Sequence, residues 1–298
     1  MKILQGFITL ALLLMLFVPL AFAQEVSMDH LNQMMANSSD NLTTYTYTRT
    51  AESKIIYSND SLNTKFEAVK STEGKVNLPL QEGWWSHKLS DKGNGEILTW
   101  QGYYLNGSEY WKEEQNWTQF NLTDPNAVME DYNELPSQID LILYSNMSIA
   151  GSDSIDGDDC YRLVGAPIRQ ITETILGLEL YASYLNSPFP LPDDFSNKSF
   201  NFDNTSLLEN SNVTIVAWVS KKTAILRRID IDSNLTITPQ ILKIEEPEFK
   251  IQAALHEVTD YQGFGEPVNI KLPAEALKAS YRTSGSDWRW AIFGLLEP

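Results

Sequence analysis

The stretch from Asn212 to Asp232, NVTIVAWVSKKTAILRRIDID, alternates with a period of two. Val213, Ile215, Ala217 and Val219 interleave with Thr214, Val216, Trp218 and Ser220. After the polar Ser220-Lys221-Lys222-Thr223 step, Ile225, Arg227, Ile229 and Ile231 interleave with Leu226, Arg228, Asp230 and Asp232. Successive side chains of a strand point to opposite faces, so this pattern predicts a β-hairpin with one apolar and one charged face. An antiparallel sheet with one packed face and one wet face has this signature; a parallel sheet, buried on both sides, does not. Ile225, Ile229 and Ile231 are expected to face inward, and Arg228, Asp230 and Asp232 to face water. Arg227 is the charge left on the apolar side, where it needs either a paired acid or a cavity mouth.

Further strands are expected at Thr43–Ile56, Leu62–Val69, Ile97–Leu105, Ser108–Trp111, Trp117–Leu122 and Cys160–Gly165. Thr236–Ile244 and Phe249–Tyr261 read as a strand pair around Glu245-Glu246-Pro247-Glu248, and Val268–Leu272 as a short final strand. Asn106-Gly107 and Asp156-Gly157 suit the positive φ angles of two-residue hairpin turns. Asp91–Gly95 reads as a turn, and Asn77–Trp85, with Pro79 and Gly83, as a loop. The clearest helix is Ile168–Leu185, where Ile168, Ile171, Ile175, Leu178, Ala182 and Leu185 recur at steps of three and four. Other helical segments are expected at Val26–Ala36, after Asp124-Pro125 and at Ala274–Ala279, with Ile139–Leu143 a second apolar piece after Pro136 and a polar loop over Asp193–Asn212. No linker or internal repeat divides the chain, so residues 24–298 are expected to form a single β-rich α+β domain.

Residues 1–23 stand apart. Lys2 precedes an apolar run from Phe7 to Ala23, and Ala21-Phe22-Ala23 before Gln24 has the form of a signal-peptidase site. The alternative is an uncleaved anchor, since the run approaches the length of a minimal membrane span. Sequons begin at Asn37, Asn41, Asn59, Asn106, Asn116, Asn121, Asn146, Asn197, Asn204, Asn212 and Asn234. Together with the leader they point to a secreted or cell-surface glycoprotein. The formal charge of −17 opposes contact with nucleic acid and anionic membrane.

Chemistry-bearing motifs are sparse. His30, His87 and His256 form no metal spacing, and no nucleophile elbow or phosphate-cradling loop is present. Cys160, the sole cysteine, reads as a small buried residue rather than a nucleophile. Acidic pairs at Asp158-Asp159, Asp193-Asp194 and Glu245-Glu246 leave a carbohydrate hydrolase open only if two carboxylates face across a cleft. The aromatic band of Trp84, Trp100, Tyr103, Tyr104, Tyr110, Trp111, Trp117 and Phe120 is either cross-strand packing or a ligand-contacting surface. No enzyme activity, metal or cofactor is expected.

Three segments resemble the LolA-like lipoprotein-carrier superfamily and its lipid-binding lipoprotein relatives. They are Ile155–Leu163 (IDGDDCYRL), Ala217–Arg228 (AWVSKKTAILRR) and Thr259–Pro273 (TDYQGFGEPVNIKLP), and the aromatic hairpin Tyr104–Trp111 is similar to a fourth element of those proteins. The resemblance implies a strongly curved antiparallel sheet, a half-barrel, wrapped around helices with an apolar cavity between. Ile168–Leu185 would then be one of the covering helices. It further implies a hydrophobic ligand, most simply a lipid, with Trp100, Tyr104, Trp111, Ile171, Ile175, Leu178, Trp218 and Arg227 as candidate contacts. Two departures stand out: no cysteine follows the leader to carry a lipid anchor, and the sequon load has no counterpart in the best-known carriers. The alternative is a non-enzymatic envelope or adhesion module with a filled core and an envelope protein as partner.

Overall fold

The computed structural model describes the backbone of residues 26–113, 115–121, 129, 132–185, 203–243 and 248–283. Helix α1 (Met28–Ser39) precedes β1 (Thr44–Ser58), β2 (Asn63–Asn77), β3 (Glu82–Asp91), β4 (Ile97–Leu105), β5 (Ser108–Glu113) and β6 (Asn116–Asn121). Then come α2 (Glu134–Leu143), β7 (Ser145–Ile155), β8 (Asp158–Pro167), α3 (Arg169–Leu185), α4 (Asn204–Glu209), β9 (Asn212–Ser220), β10 (Leu226–Ile237) and β11 (Lys250–Gln262). A 3-10 turn at Ala274–Lys278 leads into β12 (Ser280–Thr283). No helix among the described residues is long and apolar enough to cross a membrane.

The twelve strands form one unclosed sheet in the order β12-β6-β5-β4-β3-β2-β1-β11-β10-β9-β8-β7. Every neighbouring pair is antiparallel except β12 on β6. β1, fifteen residues long, lies centrally, paired along nearly its whole length with β2 on one side and β11 on the other. Asn106 and Gly107 (φ 53° and 74°) and Asp156 and Gly157 (φ 50° and 82°) both adopt the left-handed backbone of a tight hairpin, as their sequence predicts.

One face of the sheet carries α1 and α2. Ser27 caps α1 by accepting a hydrogen bond from the His30 amide at 3.3 Å. Leu31 and Met35 from α1 and Leu135, Ile139 and Ile142 from α2 join Tyr45, Tyr47, Val76, Trp85, Tyr104, Ile215, Ala217, Val219, Ile229 and Tyr261 in one apolar cluster. A second cluster on the same face gathers Ile55, Tyr57, Leu176, Leu207, Leu235, Ile237 and Ile251. Glycines let this face fill with rings: a Cβ on Gly74 would run into Tyr47, one on Gly83 into Tyr132, and one on Gly102 into Trp85.

The aromatic band divides by strand parity. Trp85, Trp100, Tyr104 and Trp111 lie on the helix-bearing face. Trp84, Tyr103, Tyr110 and Trp117 lie on the other, under Val268, Ile270 and Leu272. This explains why residues 268–272 are not the strand their alternation suggests. Pro267 and Pro273 lack the N–H a ladder needs, and the segment runs over the sheet instead of joining it.

Three other expectations change. Asn77–Trp85 is not a loop: β2 runs to Asn77, β3 starts at Glu82, and Gly83 serves the close approach of Tyr132 rather than a turn. Thr236–Ile244 is no separate strand, because Thr236 and Ile237 end β10 and Pro239 stops it; the partner of β11 is β10 itself. Asn204–Glu209 is a short helix inside the expected polar loop, with Asp203 accepting from the Thr205 and Ser206 amides. The segment after Asp124-Pro125 and the turn at residues 244–247 lie outside the described residues.

Gly102 tests the ring-over-glycine packing. Gly102→Ala is expected to destabilise by about 1–3 kcal/mol through overpacking against Trp85, read as a lower urea midpoint with an unchanged slope.

Candidate functional site

Directly opposed residues in antiparallel strands share a face, so the register defines rows across the sheet. One row on the helix-bearing face reads Trp100, His87, Thr72, Arg49, Thr259 and Ile229 from β4 to β10. The next reads Leu98, Leu89, Lys70, Ala51, Glu257 and Ile231. A third holds Ala68, Ser53, Leu255 and Ser233. On β1, Tyr47 belongs to the first apolar cluster and Ile55 to the second. Between them lie Arg49, Ala51 and Ser53, so a belt of charged, hydroxylated and small side chains separates two apolar regions.

Glu134, at the start of α2, reaches down into this belt. Arg49 Nη1 lies 3.4 Å from Glu134 Oε1 and 3.9 Å from Glu257 Oε1, with all three side chains at most one-fifth exposed. Burial alone would drain the charge from Arg49, but the two carboxylates outweigh it and hold the guanidinium protonated. Burial pushes the Glu134 carboxyl above its ordinary range against the pull of Arg49, and the Tyr47 hydroxyl donates to it. The two glutamates are counter-ions of one cation rather than an acid–base pair facing across a cleft.

His87 is buried on Trp85, with ring centroids 4.3 Å apart, and its Nδ1 lies 2.7 Å from Thr72 Oγ1. Burial, reinforced by Lys70 and Arg49, takes its pKa down to about 2, so the ring is neutral. Lys70 is 9% exposed, and burial followed by the Arg49 charge brings its ammonium down to about 8. Its Nζ lies over the Trp100 ring, 5.7 Å from the centroid. Among the described residues, Glu134 Oε2, Thr259 Oγ1, Ser53 Oγ and the Tyr261 hydroxyl are buried with no hydrogen-bond partner. Such groups each cost roughly 1–3 kcal/mol when nothing satisfies them.

The sequence-derived candidates distribute unevenly around this belt. Trp100 lies in it; Tyr104 and Trp111 pack in the adjoining aromatic cluster, with Trp111 edge-on to Trp85 at 5.4 Å. Ile175 packs against the second apolar cluster, Ile171 is half-buried on the same helix, and the Leu178 side chain lies outside the described residues. Strand parity places Trp218 on the opposite face from Ala217 and Val219. There its Nε1 donates to Asp153 Oδ2 at 3.1 Å and Arg228 stacks on its ring. Arg227 is the extra residue of a β-bulge between Leu226 and Arg228. The bulge shifts the alternation, placing Leu226 rather than Ile225 with Ile229 in the core. Arg227 Nε lies 3.6 Å from Asp158 Oδ2 and its guanidinium covers Phe264 at 5.4 Å. The acid alternative holds.

Sequence reasoning missed the belt itself. Arg49, Lys70, Glu134 and Glu257 carry no motif, and only the register brings them together. The available signal was one charged residue on each strand, Arg49 on β1 and Lys70 on β2, at an inward position of an otherwise uncharged face. Elsewhere, Cys160 is fully buried and burial pushes its thiol pKa up, the environment of an inert thiol. On the outer face, Asp230, Asp232 and His256 offer atoms within 4.8 Å of one another, close enough for a cation. The imidazole already lies between them, with Nδ1 3.0 Å from Asp232 Oδ1 and 3.3 Å from Asp230 Oδ1.

The neutral His87 has a thermodynamic signature. The unfolded chain binds a proton at this ring near pH 6.5, whereas the folded chain does so only near pH 2, so folding stability is complete above about 6.5 and lost as pH falls. In acid unfolding titrations, the wild type should lose up to about 1.4 kcal/mol per pH unit below 6.5 relative to His87→Gln.

No family model matches this chain, and no curated protein does. Among solved structures, LprF from Mycobacterium bovis aligns over 83% of this chain and 98% of its own, at 16% identity and a TM-score of 0.39. The Mycobacterium tuberculosis lipoprotein LppX aligns over 82% of this chain and 100% of its own, at 12% identity and a TM-score of 0.36. A LolA superfamily protein from Nitrosomonas europaea aligns over 82% of this chain and 94% of its own, at 9% identity and a TM-score of 0.19. The structural neighbours thus include members of the superfamily that the hairpin motifs resemble, as distant likenesses, and the functional reading rests on the chain's own residues.

Proposed function

We propose that this protein binds an amphiphilic lipid between the helix-bearing face of its sheet and the helices, without catalysing a reaction. The observation that carries the reading is the belt of Arg49, Lys70, Glu134, Glu257, Thr259 and Ser53 set between two apolar clusters. A filled core would put aliphatic side chains at the centre of this face. Instead, small side chains (Ala51, Ser53, Ala68, Ser233) alternate there with polar groups that lack partners. A lipid head in the belt supplies those partners, and its chains gain about 25 cal/mol for each Å² of apolar surface buried. The sheet is then a half-barrel curved around the helices, and Trp100, Tyr104, Trp111, Ile171 and Ile175 lie along the ligand's path.

The location follows from the leader. Cleavage after Ala23 would release a single domain of residues 24–298 to the cell surface or the extracellular space. Asn37, Asn41, Asn106, Asn116, Asn146, Asn212 and Asn234 are exposed and Asn59 is half-buried, which suits these sequons to glycosylation. Asn197 lies outside the described residues, as do the Asn121 and Asn204 side chains.

Purification from a glycosylating secretory host without detergent tests both halves. Solvent extraction followed by mass spectrometry is expected to yield about one lipid per chain, and enzymatic removal of N-glycans to lower the mass in several discrete steps. Ala51→Trp, which fills the belt, should reduce bound lipid at least fivefold. A wild type that carries no lipid and takes up none would overturn the reading.

A further inference from the structure

Lys70 is the buried cation that the ion pairs of the belt leave over. Glu134 and Glu257 both converge on Arg49, and no carboxylate among the described residues comes within ion-pairing distance of Lys70. The groups facing its ammonium are Ala51 and Arg49 from β1, Glu257 from β11, Glu134 from α2, and neutral His87 and Trp100 from β3 and β4. The negative charge nearby is therefore shared with Arg49. A buried ammonium with no partner is costly, and an incoming anion is the group that relieves it.

The surroundings set the shape of that anion. Beside Lys70 in its row stand Leu89, half-buried, and then Leu98, 38% exposed, so an apolar strip runs from the ammonium to the surface. On the other side the row holds only the methyl group of Ala51 before Glu257. An anionic head beside Lys70 and a hydrocarbon chain over Leu89 and Leu98 fit together. Building on the lipid-binding reading above, we propose that Lys70 anchors the negatively charged head, a carboxylate or phosphate, of a single-chain amphiphile lying along this row.

Equilibrium binding of radiolabelled palmitate, 1-palmitoyl-lysophosphatidate and hexadecanol to the delipidated full chain provides the test. The wild type at pH 7 should bind at least one of the anionic amphiphiles ten times or more tighter than hexadecanol. The preferred member identifies the head as carboxylate or phosphate. Lys70→Met, which removes a desolvated charge while keeping a linear side chain, should still bind hexadecanol and show less than a twofold preference, and Lys70→Arg should restore it. The wild-type preference should also fall as pH rises above about 8, where the free ammonium deprotonates. Equal binding of all three ligands by the wild type, or a preference retained in Lys70→Met, would overturn the role of Lys70 while leaving lipid binding intact. Failure of the wild type to bind any of the three would overturn lipid binding itself.

Discussion

Arg49 must be neutralised where it stands. It occupies the central strand β1, with β2 and β11 on its flanks, and no rotation of a paired strand could carry it to water. Its two acids come from different parts of the chain, Glu257 from the neighbouring strand and Glu134 from the helix laid over it. Each alternative placement of α2 would strand a buried charge, at a cost of several kcal/mol. The ion pair therefore sets where the helix starts on the sheet. Tyr45 completes the fixing, donating to Asn133 Oδ1 at 2.9 Å and accepting from the Leu135 amide at 3.4 Å.

From that position the rest of the interior follows. With α2 held over Arg49, its apolar residues Leu135, Ile139 and Ile142 meet α1 and the aromatic rows of β1, β3 and β4. α1 is in turn tied to the β9–β10 turn, where Ser38 Oγ donates to the Thr223 carbonyl at 2.8 Å. The second apolar cluster forms at the other end of β1, under α4 and the first turns of α3. Two cores thus close the ends of the face, and the belt lies between them.

Most of the sheet was legible in the sequence because period-two alternation and turn dipeptides are local signals. The Asn212–Asp232 hairpin, the Asn106-Gly107 turn and the Ile168–Leu185 helix lie where their residues place them, apart from the helix start at Arg169. What escaped was set by contacts distant in sequence. The bulge at Arg227 changes which neighbour is buried, and nothing in LRRIDID announces it; the pairing with β9 decides. Gly83 looks like a turn residue until Tyr132, some fifty positions later, is found lying on it. Val268–Leu272 alternates well enough for a strand, yet its flanking prolines and the apolar aromatic face beneath it favour a covering segment. The belt is the extreme case, since Arg49, Lys70, Glu134 and Glu257 become neighbours only through the register of three strands and one helix.

This division of labour bears on how function is separated from folding. The two apolar clusters contain the large aliphatic and aromatic side chains whose burial dominates stability, whereas the belt contributes small residues and groups with unmet hydrogen bonds. A site built in this way is costly to leave as it is, and that cost is what the proposed ligand would offset. Changing Lys70 or Ala51 alters the belt without opening a cavity in either cluster, unlike changing Tyr104 or Ile229. On the proposed reading, loss of ligand and loss of fold would have different addresses in this structure, and a binding defect confined to the belt would be separable from unfolding.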